Sequence, residues 1–174
     1  MADVNPIIQV YEALWQLLEA DSDFTELVKA GNRVKYSTVD GVEPRVKPVK
    51  ETMQDADLPE VRIVSVSAEP HLQRTSNGSS MQRTFSLQIA TGDLRYSEKL
   101  WPVEWAALRA LSRWAETLLA LTWNGKTFVK LVRPGAISEG RAESDLNRGI
   151  SGWSTIWAIT VDMWFTTSDL QATT

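Results

Sequence analysis

Residues 152–165, Gly152-Trp-Ser-Thr-Ile-Trp-Ala-Ile-Thr-Val-Asp-Met-Trp-Phe165, alternate in polarity almost without interruption. Taken at a period of two, one side reads Trp153, Thr155, Trp157, Ile159, Val161, Met163 and Phe165. The other side reads Ser154, Ile156, Ala158, Thr160, Asp162 and Trp164. Alternation of this kind predicts a strand with one buried face, about thirteen residues long and roughly twice the usual length. It follows a long helix and a polar, glycine-containing segment, an arrangement that belongs to a sheet carrying long arms. The pattern therefore points to a sheet scaffold built for assembly more than to a catalytic fold.

Composition removes several function classes. The 174-residue chain has no cysteine, which excludes disulfides, thiolate nucleophiles and cysteine-bound zinc. Its one histidine, His71, cannot form a histidine metal cluster. A net charge of −4 argues against a protein that neutralises nucleic-acid phosphates. No apolar run reaches membrane-span length, and the start, Met1-Ala-Asp-Val-Asn-Pro6, lacks the basic and apolar regions of a signal peptide. The expected setting is a cytoplasm, or a particle assembled there, with no membrane partner. The length fits one domain able to bury a core without staples.

Local patterns supply the elements. Ile7, Ile8, Tyr11, Leu14, Trp15 and Leu18 recur at three- and four-residue spacing, which predicts an amphipathic helix entered through Asn5-Pro6. A shorter helix carrying Phe24, Leu27 and Val28 follows Asp21 or Ser22 and stops at Gly31-Asn32. Arg33–Thr38, Glu60–Ala68 and Arg83–Thr91 read as strands. Ser97–Leu121 reads as the longest helix, with Trp101, Trp105, Leu108, Leu111, Ala115, Leu118 and Leu119 on its apolar side and Pro102 near its entrance. Asn124-Gly125 marks a hairpin between Thr122 and Val132. This order predicts an α+β domain with a mainly antiparallel sheet and helices packed on it. Three long loop arms, at 39–59, 69–82 and 134–151, interrupt it. Loops of that length serve binding or are disordered; ordering against neighbouring copies or partner proteins is the reading preferred here.

No catalytic constellation emerges. His71 has Glu69 and serines close by, yet no nucleophile-elbow pattern, so a solvated loop residue is the simpler role. Acidic residues gather at Asp40, Glu43, Glu51, Asp55 and Asp57, and again at Glu139, Glu143 and Asp145. They alternate with Arg45, Lys47, Lys50, Arg141 and Arg148, as on a solvated or protein-contacting surface rather than in a metal site. Ser76-Asn77-Gly78-Ser79-Ser80 reads as a flexible tip that lacks the lysine and helix of a phosphate cradle. No catalytic, cofactor or metal residues are expected. Among the eight tryptophans, Trp15, Trp105, Trp153 and Trp157 fall on expected core faces. Trp164 and Trp114 lie off those faces. An interface anchor and burial under a second helix account for these two equally well. Candidate interface residues are therefore Arg141, Glu143, Asp145 and Arg148 in the last arm, with Trp164 and Trp114.

With these elements in order, the chain resembles the tail-terminator (tail-completion) proteins of long-tailed bacteriophages. The likeness rests on the N-terminal helix followed by Asp21-Ser-Asp-Phe-Thr-Glu-Leu-Val28 and Asn32-Arg33-Val34. It continues through the proline-led strand entry Leu58-Pro-Glu-Val-Arg-Ile-Val64, the central helix Leu100–Leu121, and Gly152-Trp153 opening the last strand. These are features of layout rather than a diagnostic motif, and the length of the 134–151 segment departs from the pattern. The resemblance implies a non-enzymatic virion subunit that forms a ring, a hexamer in the family. That ring would cap the tail tube, stop its growth and meet the head-tail connector, with DNA passing through the lumen unbound. Another neck or tail-completion protein is the alternative within a virion, and a soluble ligand-binding α+β module is the alternative outside one.

Overall fold

The computed structural model describes residues 5–35, 56, 58–66, 73–75, 77–91, 96–133, 138–140 and 152–166; within these, the side chains of 65–66, 73–75, 96–97, 138–140 and 152–158 are not described. Helix α1 spans Pro6–Ala20. The Asn5 carboxamide oxygen accepts the N–H of Ile7 at 2.8 Å, and Pro6 occupies the first turn, where its missing N–H costs nothing. Helix α2, Ser22–Leu27, is capped by Asp21, whose Oδ1 accepts the N–H of Phe24 at 3.0 Å. A 3-10 turn at Ala30–Asn32 leads into strand β1, Arg33–Val34.

Strands β2 (Glu60–Val66), β3 (Gln73–Thr75) and β4 (Gly78–Thr91) follow. Helix α3 (Tyr96–Ala110), a 3-10 turn at Leu111–Arg113, and helix α4 (Trp114–Leu119) come next. The chain closes through β5 (Thr122–Trp123), β6 (Lys126–Thr127), β7 (Val129–Arg133), β8 (Ser138–Gly140) and β9 (Gly152–Thr166). The main sheet has the order β1-β2-β4-β9-β7, with β3 also on β4 and β8 also on β9. All its pairings are antiparallel except β1 with β2. This is the expected α+β class. A parallel neighbour cannot be reached by a tight turn, so the chain between β1 and β2 must travel back the length of the strand.

Two of the expected loop arms contain sheet. Gln73, Arg74 and Thr75 pair with Ser80, Ser79 and Gly78, so the 69–82 segment holds a two-residue hairpin rather than a flexible tip. Gly78–Gln82 extends β4 along β9. In the 134–151 segment, Ser138, Glu139 and Gly140 pair with Thr155, Ser154 and Trp153. Polar residues without apolar alternation hid these strands.

The last strand also departs from strict alternation. Ser86 faces Ala158 and Leu87 faces Ile156, which leaves Trp157 as an extra residue with no counterpart on β4. A bulge of this kind reverses the phase of the side chains beyond it. Opposed residues of an antiparallel pair share a face, so Ile156 and Ser154 take the register positions of Leu87 and Ile89. Trp153 and Thr155 take those of Ala90 and Gln88. The continuous face expected from Trp153 to Phe165 is therefore split at Trp157.

One side of the sheet is apolar. Val61, Ile63, Phe85, Leu87, Ile89, Ile159, Val161, Met163 and Phe165 are all buried there. Helix α3 packs on β4 and β9, α4 packs on β7, and α1 packs against α2, α3 and α4. From α1, Val10, Leu14, Trp15 and Leu18 enter the same core. At one end Phe165 stacks on Phe128, centroids 5.9 Å apart, and meets Trp123 edge-on at 5.5 Å. The Asn124-Gly125 turn joining β5 to β6 has φ of 50° and 73°, the pair of positive values that a tight hairpin demands.

The expected long helix is divided. Arg113 leaves helical space at φ −102° and ψ 15°, which separates α4 from α3 and lets α4 meet β7. Pro102 lies inside α3 rather than at its entrance.

Candidate assembly surfaces

The sheet face turned away from the helices is polar and cross-linked between strands. Gln82 Nε2 donates to Asp162 Oδ1 at 2.6 Å, and Arg133 Nη2 donates to Asp162 Oδ2 at 2.7 Å. The hydroxyls of Thr84 and Thr160 are 3.1 Å apart. Asp162 thus ties β4, β9 and β7 together through one carboxylate. Arg62 is similarly paired with Glu60. Such pairing leaves a face rich in hydroxyls and amides, where the cations named are already matched by carboxylates.

Trp164 is half-buried on this face. Its backbone N–H donates to the Phe128 carbonyl at 2.8 Å, and its indole lies over Gly78. A Cβ built on Gly78 would fall 2.9 Å from Trp164 Cζ2 and 2.3 Å from the Phe165 carbonyl oxygen. Only glycine fits beneath that ring. An aromatic side chain covering a strand glycine is a known device for pinning register. Trp114 is half-buried on α4 and packs against the core from the helical side. The two tryptophans therefore occupy opposite sides of the sheet and form no common site. Arg141, Glu143, Asp145 and Arg148 lie outside the described residues, as does His71.

The helical side carries a surface that sequence reasoning assigned to the core. Helix α3 buries Leu100, Val103, Ala106 and Ala107, and the 3-10 turn after it buries Leu111, whereas Trp101 is 49% and Trp105 68% exposed. Both sets recur at three- and four-residue spacing, so periodicity alone could not choose between them. Packing chose. Ala106 and Ala107 are buried on the side that packs into the core, and the bulky indoles are turned out. One signal was available in the sequence: Leu100, Val103, Ala107 and Leu111 form a stripe as regular as the tryptophan one.

Beside the tryptophans, Arg109 grips the start of α2. Its Nε and Nη2 donate to Asp21 at 2.9 and 2.6 Å, and its Nη1 reaches Asp23 at 2.6 Å. The Arg109 hydrogen bond, opposed in part by burial and aided by the Phe24 N–H, holds the Asp21 carboxyl below its ordinary value. In turn the two carboxylates push the guanidinium further up. Arg33 ties the far end of α2 down, donating from Nε to the Val28 carbonyl at 2.9 Å and from Nη2 to the Thr25 carbonyl at 3.0 Å. Among the described residues no group of three or more His, Asp or Glu side chains is placed to hold a metal, and no helix is long and apolar enough to cross a membrane.

No protein-family model matches the chain, and no curated protein matches it. Among solved structures, a chain from the virion of a native gene transfer agent particle is similar in fold. The match covers 88% of this chain and 93% of that one, with a TM-score of 0.52 and 13% sequence identity. At that identity the likeness is one of fold, running nearly end to end in both molecules.

Proposed function

We propose that this chain is a structural subunit of a phage-like particle and acts without catalytic turnover. Within the particle it serves as the tail terminator: copies close into a ring, a hexamer in the family it resembles, that caps the tail tube. The ring stops tube growth and joins the tail to the head connector. The observation that carries this reading is the end-to-end fold likeness to a virion chain.

The physical chemistry is compatible with it. A closed ring of identical subunits uses a head-to-tail contact, so each copy must offer two different surfaces. A sheet with two distinct edges and an asymmetric helical layer supplies them. A lumen that passes DNA must not retain phosphates, and a subunit of net charge −4 meets that condition. Its partners are then further copies of itself, the tail tube protein and the connector, in a virion assembled in the host cytoplasm.

Negative-stain imaging of the purified protein, with and without tail tubes, tests the reading. Rings in solution or capping tube ends are the expected result. A monomer that leaves tube length and tube ends unchanged would remove the terminator role and favour a soluble binding module.

A further inference from the structure

The two tryptophans most exposed among the described residues and the outer edge of the sheet differ in charge as well as in shape. On α3, Trp101 and Trp105 share a stripe with Arg109, which is outnumbered two to one by Asp21 and Asp23. That corner is net negative. At the other end of the sheet order, β7 presents Leu131 at 47% exposure, with Lys130 and Arg133 exposed beside it. From Thr117 to Ser138 the charged residues are Lys126, Lys130 and Arg133; Asp162 of β9 matches Arg133, which leaves the two lysines as the cations of this edge. The Arg109 corner and β7 lie toward opposite edges of the sheet, with α3 between them over β4 and β9. Helix α2, which holds the Arg109 corner, is tethered to β1 through Arg33, whereas β7 is the edge farthest from β1.

We infer that the Trp101–Trp105 face of one copy covers the Leu131 edge of the next, making the ring contact head-to-tail. This rests on the ring-forming reading above and names its surfaces. Opposite edges are the placement a repeating head-to-tail contact needs. Charge complementarity selects this partner over a tryptophan face meeting itself, which would bring two negative corners together. Exposed indoles are strong anchors for a neighbouring apolar side chain, and they attract the ammonium of Lys130 over their rings.

Simple strand addition to β7 is disfavoured. Val129 faces Met163 while Leu131 faces Asp162, so Lys130 is a bulge residue on the edge, a device that blocks edge-to-edge pairing. The contact is therefore made by side chains.

The test uses two full-length variants, Trp101→Ser with Trp105→Ser, and Lys130→Glu with Leu131→Ser. Circular dichroism checks their fold. Native mass spectrometry and sedimentation read their assembly, and imaging on tail tubes follows. Each variant alone is expected to lose ring formation, with association weakened at least about thirtyfold, the effect of losing an interface hot spot. Mixed together they should form a one-to-one dimer, because each retains the face the other lacks. A variant that alone keeps wild-type assembly, or a mixture that stays monomeric, overturns the inference. If both variants still make rings, the contact assigned here is wrong while the terminator reading stands. A wild-type chain that forms no ring in solution or on tubes defeats both. Lys130→Glu alone serves where a double variant fails to fold: weaker assembly with a reduced dependence on salt is expected, and unchanged assembly overturns the charge argument.

Discussion

Replacing Gly78 by alanine tests the junction of β4 with β9 most directly. The added methyl would sit 2.3 Å from the Phe165 carbonyl oxygen and 2.9 Å from the Trp164 ring. The first contact is more than about 1 Å inside the ordinary optimum of about 3.5 Å, and its partner is backbone rather than a mobile side-chain tip. Relief requires β4 and β9 to separate where Gly78 faces Thr166. Overpacking of this kind costs about 1–3 kcal/mol, and loosening the terminal hydrogen bonding adds about 1 kcal/mol. Restricting the unfolded chain returns about 0.4–1 kcal/mol. The net loss is about 2 kcal/mol, or a fall in Tm of about 4–8 °C for a domain of this size. Urea unfolding should show a lower midpoint at an unchanged slope, and amide exchange at 163–166 should quicken. Gly31→Ala is the control, since a Cβ there meets nothing within 4 Å; its change should stay within about 0.5 kcal/mol. A Gly78→Ala protein as stable as wild type would refute the close approach of Trp164 and Phe165 to this glycine.

Three further outcomes are expected. Phe85→Ala should destabilise by about 3–5 kcal/mol in the same urea assay, because Phe85 is 1% exposed at the centre of the apolar sheet face. Trp105→Ser should change stability by less than about 0.5 kcal/mol, since a residue 68% exposed has little burial to lose; a large loss would return it to the core. Asp21 has a lowered folded-state pKa, chiefly through Arg109, so its contribution is present above the ordinary carboxylate value and lost as pH falls through the lower folded one. The stability gap between wild type and Asp21→Asn should therefore be widest near neutral pH and close as the solution is acidified below about pH 4, as read by urea midpoints across that range.

Much of this protein is written in short stretches of sequence. Asn5-Pro6 and the spacing of Val10, Leu14 and Leu18 determine α1, because capping and a 3.6-residue period act within one segment. Asn124-Gly125 determines the β5–β6 turn, because few residue pairs tolerate two positive φ values in succession. The buried run Ile159, Val161, Met163 and Phe165 was legible for the same reason. What tertiary structure decided are the choices that local chemistry leaves equal. Two stripes of α3 fit a helical period, and contact with the sheet buried the alanine-bearing one and left Trp101 and Trp105 outside. Ser79, Ser80 and Gln82 carry no apolar signal, and they form strand because β9 supplies their hydrogen-bonding partner. The bulge at Trp157 has no signature in its own strand either. It is a mismatch in count between β4 and β9, so it exists only once the two lie side by side.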